Sequence, residues 1–256
     1  MKTSSQTNPV VLITGALTGI GRATAIAFAQ EGARVVVSGR REEEGRAVEL
    51  AIKKAGGNAL FVRADVSREG DVKALVDKTV AAFGRLDIAF NNAGIEGQIG
   101  LSTDVQTVEN FDSVFNINVK GVLLSMKHEA VAMLRNGGGS IINTSSIAGH
   151  IGFAGGGVYV ASKHAVNGLS KSAALEFARK GIRVNTVSPG TIQTEMIDRM
   201  VGEGETEVRK SWQERHPVGR FGTVDEVAAA VVWLASPASS FVTGTDIAVD
   251  GGYTAQ

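Results

Sequence analysis

Tyr159 and Lys163 lie four residues apart in a segment, residues 158 to about 179, whose pattern predicts a helix. At that spacing the two side chains share one face of the helix. A free tyrosine has a pKa of about 10, so it is a poor acid or base at neutral pH unless a nearby positive charge stabilises its phenolate. Lys163 would supply that charge, and the pair therefore indicates proton transfer at the Tyr159 hydroxyl.

Ser146 precedes Tyr159 by 13 residues and follows a short predicted strand at residues 140–143. In open parallel sheets, ligands bind at the carboxyl ends of the strands, where the Ser146 hydroxyl would hold the oxygen of a substrate carbonyl. Taken singly, these patterns have ordinary alternatives. A Tyr-x-x-x-Lys pair is commonly a surface contact, and a Ser-Ser pair is commonly part of a loop.

A glycine-rich turn follows the first predicted strand, residues 10–13, and precedes a predicted helix over residues 19–30. Glycines at such a turn let phosphates approach the backbone, while the helix N-terminus offers free N–H donors and positive potential. The turn therefore predicts a site for the pyrophosphate of a dinucleotide. Its spacing is G-x-x-x-G-x-G rather than G-x-G-x-x-G, and an ordinary tight turn is the alternative. The sequence of the turn is Thr14-Gly15-Ala16-Leu17-Thr18-Gly19-Ile20-Gly21.

Short β-branched runs alternate with longer helical patterns along the chain. Continuous apolar strands between amphipathic helices indicate a parallel sheet covered on both faces, and right-handed crossovers then give a doubly wound α/β sheet, the Rossmann fold. No linker or change of composition divides the chain, so we predict a single domain over residues 1–256 with a mostly parallel seven-stranded sheet. The predicted strands are residues 10–13, 34–37, 60–62, 86–90, 140–143, 183–187 and 246–249; the predicted helices are residues 19–30, 41–54, 71–83, a long one ending near residue 134, and 158–179.

Residues 191–216 contain no predicted strand and carry many charges. A stretch of this length between two core elements is commonly functional, so we predict a substrate flap; a solvated helical excursion is the alternative. The substrate pocket should lie between this segment and residues 149–158, and its apolar contents favour a hydrophobic substrate. The side chains expected in the pocket are Ile151, Phe153, Met196, Met200 and Trp212.

Four motifs, taken together and in this order, resemble those of the short-chain dehydrogenase/reductase family, and the resemblance covers essentially the whole chain. They are Thr14-Gly15-x-x-x-Gly19-x-Gly21, Asn91-Asn92-Ala93-Gly94 after the fourth strand, Tyr159-x-x-x-Lys163 with Ser146, and Pro189-Gly190 after the sixth strand. The resemblance implies an oxidoreductase that transfers a hydride between a nicotinamide dinucleotide and a carbonyl or secondary alcohol.

The same resemblance implies the catalytic roles. Tyr159 would be the general acid in reduction and the base in oxidation, and Lys163 would lower its pKa and hold the nicotinamide ribose. Ser146 would orient the substrate oxygen. Asn118 matches the asparagine that kinks a helix and holds a water molecule in the proton relay to the lysine, and Asn116 matches that position less well.

Cofactor contacts are also implied by the resemblance. Asp65 with Val66 would meet adenine, and Ile192 with Thr194 the nicotinamide carboxamide; for Asp65 and Thr194, helix capping is the alternative. The full predicted set is Gly15, Thr18, Gly19, Ile20, Gly21, Arg40, Asp65, Val66, Asn92, Ala93, Gly94, Tyr159, Lys163, Pro189, Gly190, Ile192 and Thr194.

The second predicted strand is followed by Ser38-Gly39-Arg40-Arg41. NAD-specific relatives usually carry an acidic residue here that binds the ribose hydroxyls, and the matching position is Gly39. A 2′-phosphate would therefore meet no repulsion, and Arg40 would hold it with two charge-assisted hydrogen bonds. We expect NADP(H), with NAD(H) as the alternative if the arginines instead pair with the glutamates at residues 42–44.

Charge and composition exclude several other classes. Lys plus Arg equals Asp plus Glu at 26 each, so the basic excess typical of nucleic-acid and anionic-membrane surfaces is missing. The chain has no cysteine, which excludes disulfides, thiolate nucleophiles and cysteine-ligated metals. The four histidines show no metal-ligand spacing, and we predict no metal. His150 is interpreted as a loop histidine, with a place near the substrate as the alternative.

Location and assembly can also be predicted. Residues 1–8 are polar and lack the apolar segment of a secretory signal, so we expect a cytoplasmic protein. Residues 242–252 resemble the last strand and tail of the family, which commonly pack at a subunit interface, so we expect a homotetramer.

Other functions remain open at this stage. Epimerases and dehydratases share the glycine turn and the Tyr-x-x-x-Lys pair but usually carry a larger C-terminal domain. A binding protein with inactive chemistry tends to lose the tyrosine, the lysine or the glycines, all of which are present here. Among oxidoreductases, the alternatives are an NAD-dependent dehydrogenase of a sugar, steroid or other hydroxy compound, and a 3-oxoacyl-thioester reductase.

Overall fold

A single seven-stranded sheet forms the centre of the computed structural model, which describes residues 8–202, 204 and 206–256. Most of the polar N-terminal segment (residues 1–7), together with Glu203 and Glu205 of the predicted flap, lies outside the described residues. All strand pairs are parallel, in the order β3-β2-β1-β4-β5-β6-β7. The strands are β1 (Val10–Thr14), β2 (Arg34–Gly39), β3 (Asn58–Arg63), β4 (Ile88–Asn91), β5 (Gly139–Thr144), β6 (Ile182–Pro189) and β7 (Asp246–Val249).

Nine α-helices surround the sheet within the described residues. Helix α2 shows why the sequence favours them, because three glutamates occupy its first turn and two lysines its last, charges that complement the helix dipole. The helices are α1 (Gly19–Gln30), α2 (Glu42–Lys54), α3 (Glu69–Phe83), α4 (Val108–Phe115), α5 (Gly121–Arg135), α6 (Gly157–Phe177), α7 (Glu195–Val201), α8 (Glu207–Glu214) and α9 (Val224–Ala235).

The core has two layers, one on each face of the sheet. Val11 and Ile13 of β1 pack with apolar residues of α1, α2 and α9. Leu12, between them in the sequence, packs on the other face with residues of α3, α5 and α6. Successive side chains of a strand point to opposite faces, so the unbroken apolar run of β1 is what a sheet covered on both sides requires. This confirms the predicted doubly wound fold.

The structure differs from the sequence-based prediction in its helices. The long helix expected to end near Leu134 is divided, because a π-helical segment, Asn116–Lys120, joins α4 to α5. Residues 191–216 contain two short helices, α7 and α8. Helix α9 is missing from the prediction although its start carries a capping box, in which Thr223 and Glu226 each bond the other's backbone N–H.

No helix among the described residues is long and apolar enough to cross a membrane.

Candidate active site

The carboxyl ends of the strands open into a cavity of about 930 Å³. It lies where β1 and β4 are neighbours and the chain leaves them toward opposite edges of the sheet, the switch point at which doubly wound sheets bind ligands. Three of the four predicted catalytic residues, Ser146, Tyr159 and Lys163, line the cavity, and Asn118 does not. Of the predicted cofactor residues, all except Gly21 line it.

Gly21 supports the turn from behind. A Cβ at Gly21 would lie 2.2 Å from the carbonyl oxygen of Gly15, so a side chain there would push α1 away from the turn. Gly15 itself has φ +64° and would place a Cβ 2.8 Å from the Cα of Ala93. The first turn of α1 contains no acidic residue, and Thr18 at its start makes no side-chain cap. Its positive end therefore faces the cavity uncompensated.

The turn is tied to the segment after β4 by two side chains. Thr14 Oγ1 accepts the backbone N–H groups of Asn92 (3.2 Å) and Ala93 (3.3 Å). Asn92 Nδ2 donates to the Gly15 carbonyl at 3.0 Å. Asn92 therefore fixes the shape of the turn as well as lining the cavity. Thr14, the first residue of the glycine motif, also lines the cavity, although it is not in the predicted cofactor set.

Tyr159 and Ser146 both line the cavity wall. Burial raises the pKa of Tyr159 to about 12; the nearby Ser146 hydroxyl lowers it, and the negative charge of Glu96 raises it further. The tyrosine is thus a phenol at neutral pH, whereas the sequence predicts that Lys163 lowers its pKa. Ser146 is held by its place at the start of a short 3₁₀ turn, where its Oγ accepts the N–H of Ala148 at 3.2 Å.

The ammonium of Lys163 donates to the Thr144 carbonyl at 2.9 Å. It lies 5.5 Å from the centre of the Tyr159 ring, over the ring face. Burial lowers the pKa of Lys163 to about 8, so both charge states are accessible near neutral pH. Lys163 is therefore placed to bind a ligand in the cavity, and its amino group can gain or lose a proton near neutral pH.

Asn118 lies within the π-helical segment and is buried. Its Oδ1 accepts the N–H of Ile95, while its Nδ2 donates to the Ile95 carbonyl, both at 2.9 Å, and to Ser162 Oγ at 3.1 Å. A Cβ at Gly94 would lie 3.3 Å from Asn118 Oδ1 and 3.7 Å from Lys163 Nζ. Asn118 thus borders the catalytic group from behind. Asn116 instead accepts from Lys120 on the exposed surface.

The end of β2 places two arginines in different settings. Both arginines line the cavity. Arg41 pairs with Glu44 at 3.1 Å, whereas the exposed side chain of Arg40 forms no ion pair with a described residue. Burial raises the pKa of Asp65, but hydrogen bonds from Ser67 and the charge of Arg40 outweigh it and hold the pKa below its usual range. The predicted alternative, in which the arginines pair with the glutamates at residues 42–44, therefore holds for Arg41 and not for Arg40.

Two further features mark this end of the cavity. Ser38 Oγ is buried, without a hydrogen-bond partner among the described residues, on a residue that lines the cavity. A Cβ at Gly39 would lie 2.6 Å from Leu17 Cδ1, so the turn leaves no room for a side chain at position 39.

Neither Asp65 nor Thr194 caps a helix with its side chain. Asp65 Oδ1 accepts the N–H and the hydroxyl of Ser67, and the residue at the start of α3 is Arg68. Thr194 precedes α7, but its hydroxyl donates to the Ile192 carbonyl at 3.1 Å and makes no cap. The capping alternative is therefore wrong for both residues.

The end of the cavity away from the glycine turn contains most of the side chains predicted for the substrate pocket. Phe153, Met196, Met200 and Trp212 line it, but Ile151 does not. His150 also lies outside the lining and bonds Asp246 Oδ2 (2.8 Å) and Ser188 Oγ (3.2 Å), so its interpretation as a loop histidine agrees with the structure. Lining residues at this end that lie outside the predicted pocket segments are Ile95, Glu96, Ile99 and Tyr253. Ala154, Ile197, Arg199 and Arg215 lie within those segments and also line the cavity, although they were not among the side chains expected there.

Helices α7 and α8 are joined by Arg209, which is buried. Its guanidinium donates to Gln193 Oε1 (2.6 Å), to the Gly202 carbonyl (3.1 Å) and to the carboxylate of Asp198. A second ion pair, Arg199 to Glu96 at 3.1 Å, connects α7 to the segment after β4. These bonds hold the helices that bring Met196, Met200 and Trp212 to the cavity.

A buried polar cluster lies under the strands that end at the site. Asn91 Nδ2 donates to Glu129 Oε2 and to Asn143 Oδ1, both at 2.9 Å. Burial raises the pKa of Glu129 to about 7, although the bond from Asn91 lowers it. Among the described residues, no group of three or more His, Asp or Glu side chains could hold a metal ion.

Comparison with known proteins identifies the family of the chain. A family model described as "Enoyl-(Acyl carrier protein) reductase" matches residues 15–254. A cyclohexanol dehydrogenase from Acinetobacter sp. is 46% identical over 97% of this chain and 96% of its own. A 2,5-dichloro-2,5-cyclohexadiene-1,4-diol dehydrogenase from Sphingobium indicum is 44% identical over 98% and 99%. The solved structure "ElxO with NADP Bound" has a TM-score of 0.92 at 36% identity, covering 98% of this chain and 100% of its own.

The chain belongs to the short-chain dehydrogenase/reductase family. It is an NAD(P)-dependent oxidoreductase that acts on CH–OH groups.

Proposed function

We propose that the protein interconverts a secondary alcohol on an aliphatic ring and the corresponding ketone, with NADP(H) as the hydride carrier. One observation carries the proposal: Tyr159 and Ser146 line the same cavity as the glycine turn. A proton donor and a phosphate-binding turn are thus joined in one space, as dinucleotide-dependent carbonyl chemistry requires.

The residues along the cavity fit a nicotinamide dinucleotide. The uncapped start of α1 and the side-chain-free Gly15 suit a pyrophosphate, and the unpartnered hydroxyl of Ser38 suits a ribose or its phosphate. When bound, the nicotinamide would accept or supply the hydride, and its oxidised ring would add a positive charge. We infer that the turn would hold the pyrophosphate, Asp65 and Val66 the adenine, Asn92, Ala93 and Gly94 the adenosine side, Lys163 the ribose, and Pro189, Gly190, Ile192 and Thr194 the nicotinamide end.

Tyr159 is the proton donor in the reducing direction. Its raised pKa keeps the phenol protonated at neutral pH, which is the form that protonates the oxygen of a ketone as it becomes an alcohol. In the oxidising direction Tyr159 must first lose its own proton, and the resulting phenolate then accepts the proton of the alcohol. Burial disfavours that phenolate, and the charged form of Lys163 over the ring face helps to stabilise it.

Ser146 and Asn118 act on the same proton transfer from two sides. The Ser146 hydroxyl, which lies close enough to lower the pKa of Tyr159, orients the substrate oxygen beside the phenol. Asn118 holds the Ile95 backbone and Ser162 next to Lys163, and we assign it the relay position toward that lysine.

The substrate class follows from the lining and from the relatives. Aromatic and methionine side chains, Phe153, Met196, Met200 and Trp212, surround the end of the cavity beyond Tyr159. Two relatives at 44% and 46% identity are named for ring alcohols. A compact apolar ring would bury its surface against these side chains.

The NADP(H) preference depends on the end of β2. Arg40 lines the cavity without an ion pair among the described residues, and Ser38 offers an unused hydroxyl. Gly39 carries no carboxylate, and Leu17 fills the space where one would stand. A 2′-phosphate would therefore find the cation of Arg40 and no carboxylate at position 39; the nearby carboxylate of Asp65 is itself close to Arg40.

A matched substrate panel tests the proposal. Cyclohexanone should have the highest kcat/KM with NADPH, above 2-hexanone, a sugar ketone, a steroid ketone and a 3-oxoacyl thioester. Each substrate is assayed with NADPH and with NADH by the loss of absorbance of the reduced cofactor. A higher kcat/KM for the thioester or the steroid would contradict the ring-alcohol assignment, and a preference for NADH would contradict the cofactor assignment.

A further inference from the structure

His216 is a buried histidine, 2% exposed, just beyond the end of α8. Its Nδ1 lies 3.0 Å from the carbonyl oxygen of Trp212, and its Nε2 lies 3.1 Å from the backbone nitrogen of Thr191. A carbonyl oxygen can only accept a hydrogen bond, and a backbone N–H can only donate one. The ring therefore carries its proton on Nδ1 and its lone pair on Nε2, and both nitrogens are used.

The partners of His216 belong to different walls of the cavity. Thr191 follows Pro189-Gly190 at the end of β6, whereas Trp212 comes from α8 and Tyr253 from the C-terminal turn, and all three line the cavity. The His216 and Tyr253 rings are in contact, with centroids 5.1 Å apart. His216 itself is not part of the lining.

The loop of residues 189–193 has several backbone anchors. Gly190 N–H bonds the Val249 carbonyl (3.0 Å), the Thr191 carbonyl accepts from Gly222 (2.9 Å), and Gln193 N–H donates to the Gly222 carbonyl (2.9 Å). The bond to His216 differs from these because a side chain makes it. A Cβ at Gly190 would lie 3.1 Å from His216 Nε2, so the loop packs directly on the ring.

We propose that His216 is a positioning residue that fixes the loop at the nicotinamide end of the cavity to the wall that receives the substrate. Through Nε2 it sets the position of Thr191, and through Nδ1 and its ring face it sets those of Trp212 and Tyr253. The inference rests on the proposed function, since it assigns the two walls to cofactor and substrate. His216 would touch neither the cofactor nor the substrate, but would keep the two walls of the cavity aligned with each other.

Two conservative variants separate the two hydrogen bonds. In His216→Gln the amide oxygen reaches the Nε2 position and accepts from Thr191, whereas in His216→Asn the amide nitrogen reaches the Nδ1 position and donates to Trp212. We expect His216→Asn to lower kcat about tenfold, because a buried N–H of the loop loses its acceptor. We expect His216→Gln to keep kcat within about threefold and to raise the KM of the ketone, because the substrate wall loses its bond.

A measurement on the cofactor-free protein gives a second readout. Amide hydrogen exchange of the peptide covering residues 189–194 should be faster in His216→Asn than in His216→Gln, which should match the wild type. His164→Asn is the control, because His164 is exposed and bonds only a carbonyl of its own helix among the described residues. Thermal melting identifies any variant that fails to fold.

The role of His216 is decided by comparing kcat and amide exchange between His216→Asn and His216→Gln. Equal kcat and equal exchange at residues 189–194 in His216→Asn and His216→Gln would overturn it, even if both differ from the wild type. A wild type without nicotinamide-dependent turnover would instead contradict the proposed function, and the exchange comparison would still decide whether His216 anchors the loop.

Discussion

Arg40 and Arg41 are adjacent in sequence, but the structure gives them different partners. Both line the cavity, but Arg41 forms an exposed ion pair with Glu44 at the first turn of α2, whereas Arg40 lies beside Asp65 and forms no ion pair with a described residue. Sequence reasoning could name both arginines but could not assign the ion pair, because pairing depends on where the chain turns after Gly39. The pair therefore offers a matched test of the cofactor preference.

Arg40→Ala should lower kcat/KM for NADPH by about 10- to 100-fold, the range expected for losing a charge-assisted hydrogen bond to a phosphate, and should leave NADH nearly unchanged. Arg41→Ala should change NADPH efficiency less than about threefold, since Glu44 already occupies it. Steady-state kinetics with both cofactors measures this. Equal losses in the two variants, or equal losses for both cofactors in Arg40→Ala, would refute the assignment to the 2′-phosphate.

Among the elements, the strands are the part of the fold that the sequence predicts best. Each lies within two residues of its predicted bounds, because a strand buried on both faces must be apolar throughout. The helices around the site were harder to predict. The π-helical turn at Asn116–Lys120 is set by the contacts of Asn118 with Ile95 and Ser162, which are distant in sequence.

The side of an element that faces the cavity is also a tertiary property. Gly21 lies in the glycine motif but faces away from the cavity, under Gly15. Ile151 lies in the predicted pocket segment but outside the lining, whereas Tyr253 lies far along the chain and inside it. Spacing along the chain does not contain this information. The sequence did not indicate a role for His216 either, because both ring nitrogens bond backbone groups, which almost any residue type can supply.

We propose that residues 191–216 act as the predicted flap, with Arg209 as the residue that holds α7 to α8. Arg209→Met keeps the volume but removes the bonds to Asp198, Gln193 and Gly202. We expect the KM of the ketone to rise about tenfold or more while the Kd of NADPH stays within about threefold, because the loosened helices carry substrate-side residues. Kinetics and fluorescence titration of NADPH measure the two effects.

Lys210→Met is the control for this change. Lys210 is the next residue on α8 and forms an exposed pair with Glu207, so its loss should have little effect. An unchanged KM in Arg209→Met, or an equal rise in both variants, would show that the ion pair does not hold a flap.

For the whole molecule, we propose a homotetramer. Large apolar side chains remain exposed on several faces of one chain, including 84% of Leu175 and all of Phe241, and such surfaces mark association sites. The exposed apolar residues on α4 and α5 are Val108, Phe111, Leu123, Val131 and Leu134. Light scattering at micromolar concentration should give four times the mass of the chain, and a monomer would refute the proposal.

We propose that Tyr159 transfers the proton that accompanies hydride transfer, and the substitution Tyr159→Phe removes the hydroxyl that would carry it. Tyr159→Phe should lower kcat with NADPH and a ring ketone by about 10²-fold or more, the contribution typical of a positioned acid, while the Kd of NADPH changes less than about threefold. Tyr253→Phe is the matched control, since Tyr253 is the other tyrosine of the chain and lines the same cavity; its kcat should fall less than about threefold. If Tyr159→Phe retains more than about a tenth of the wild-type kcat, or if both variants lose kcat equally, Tyr159 is not the proton donor.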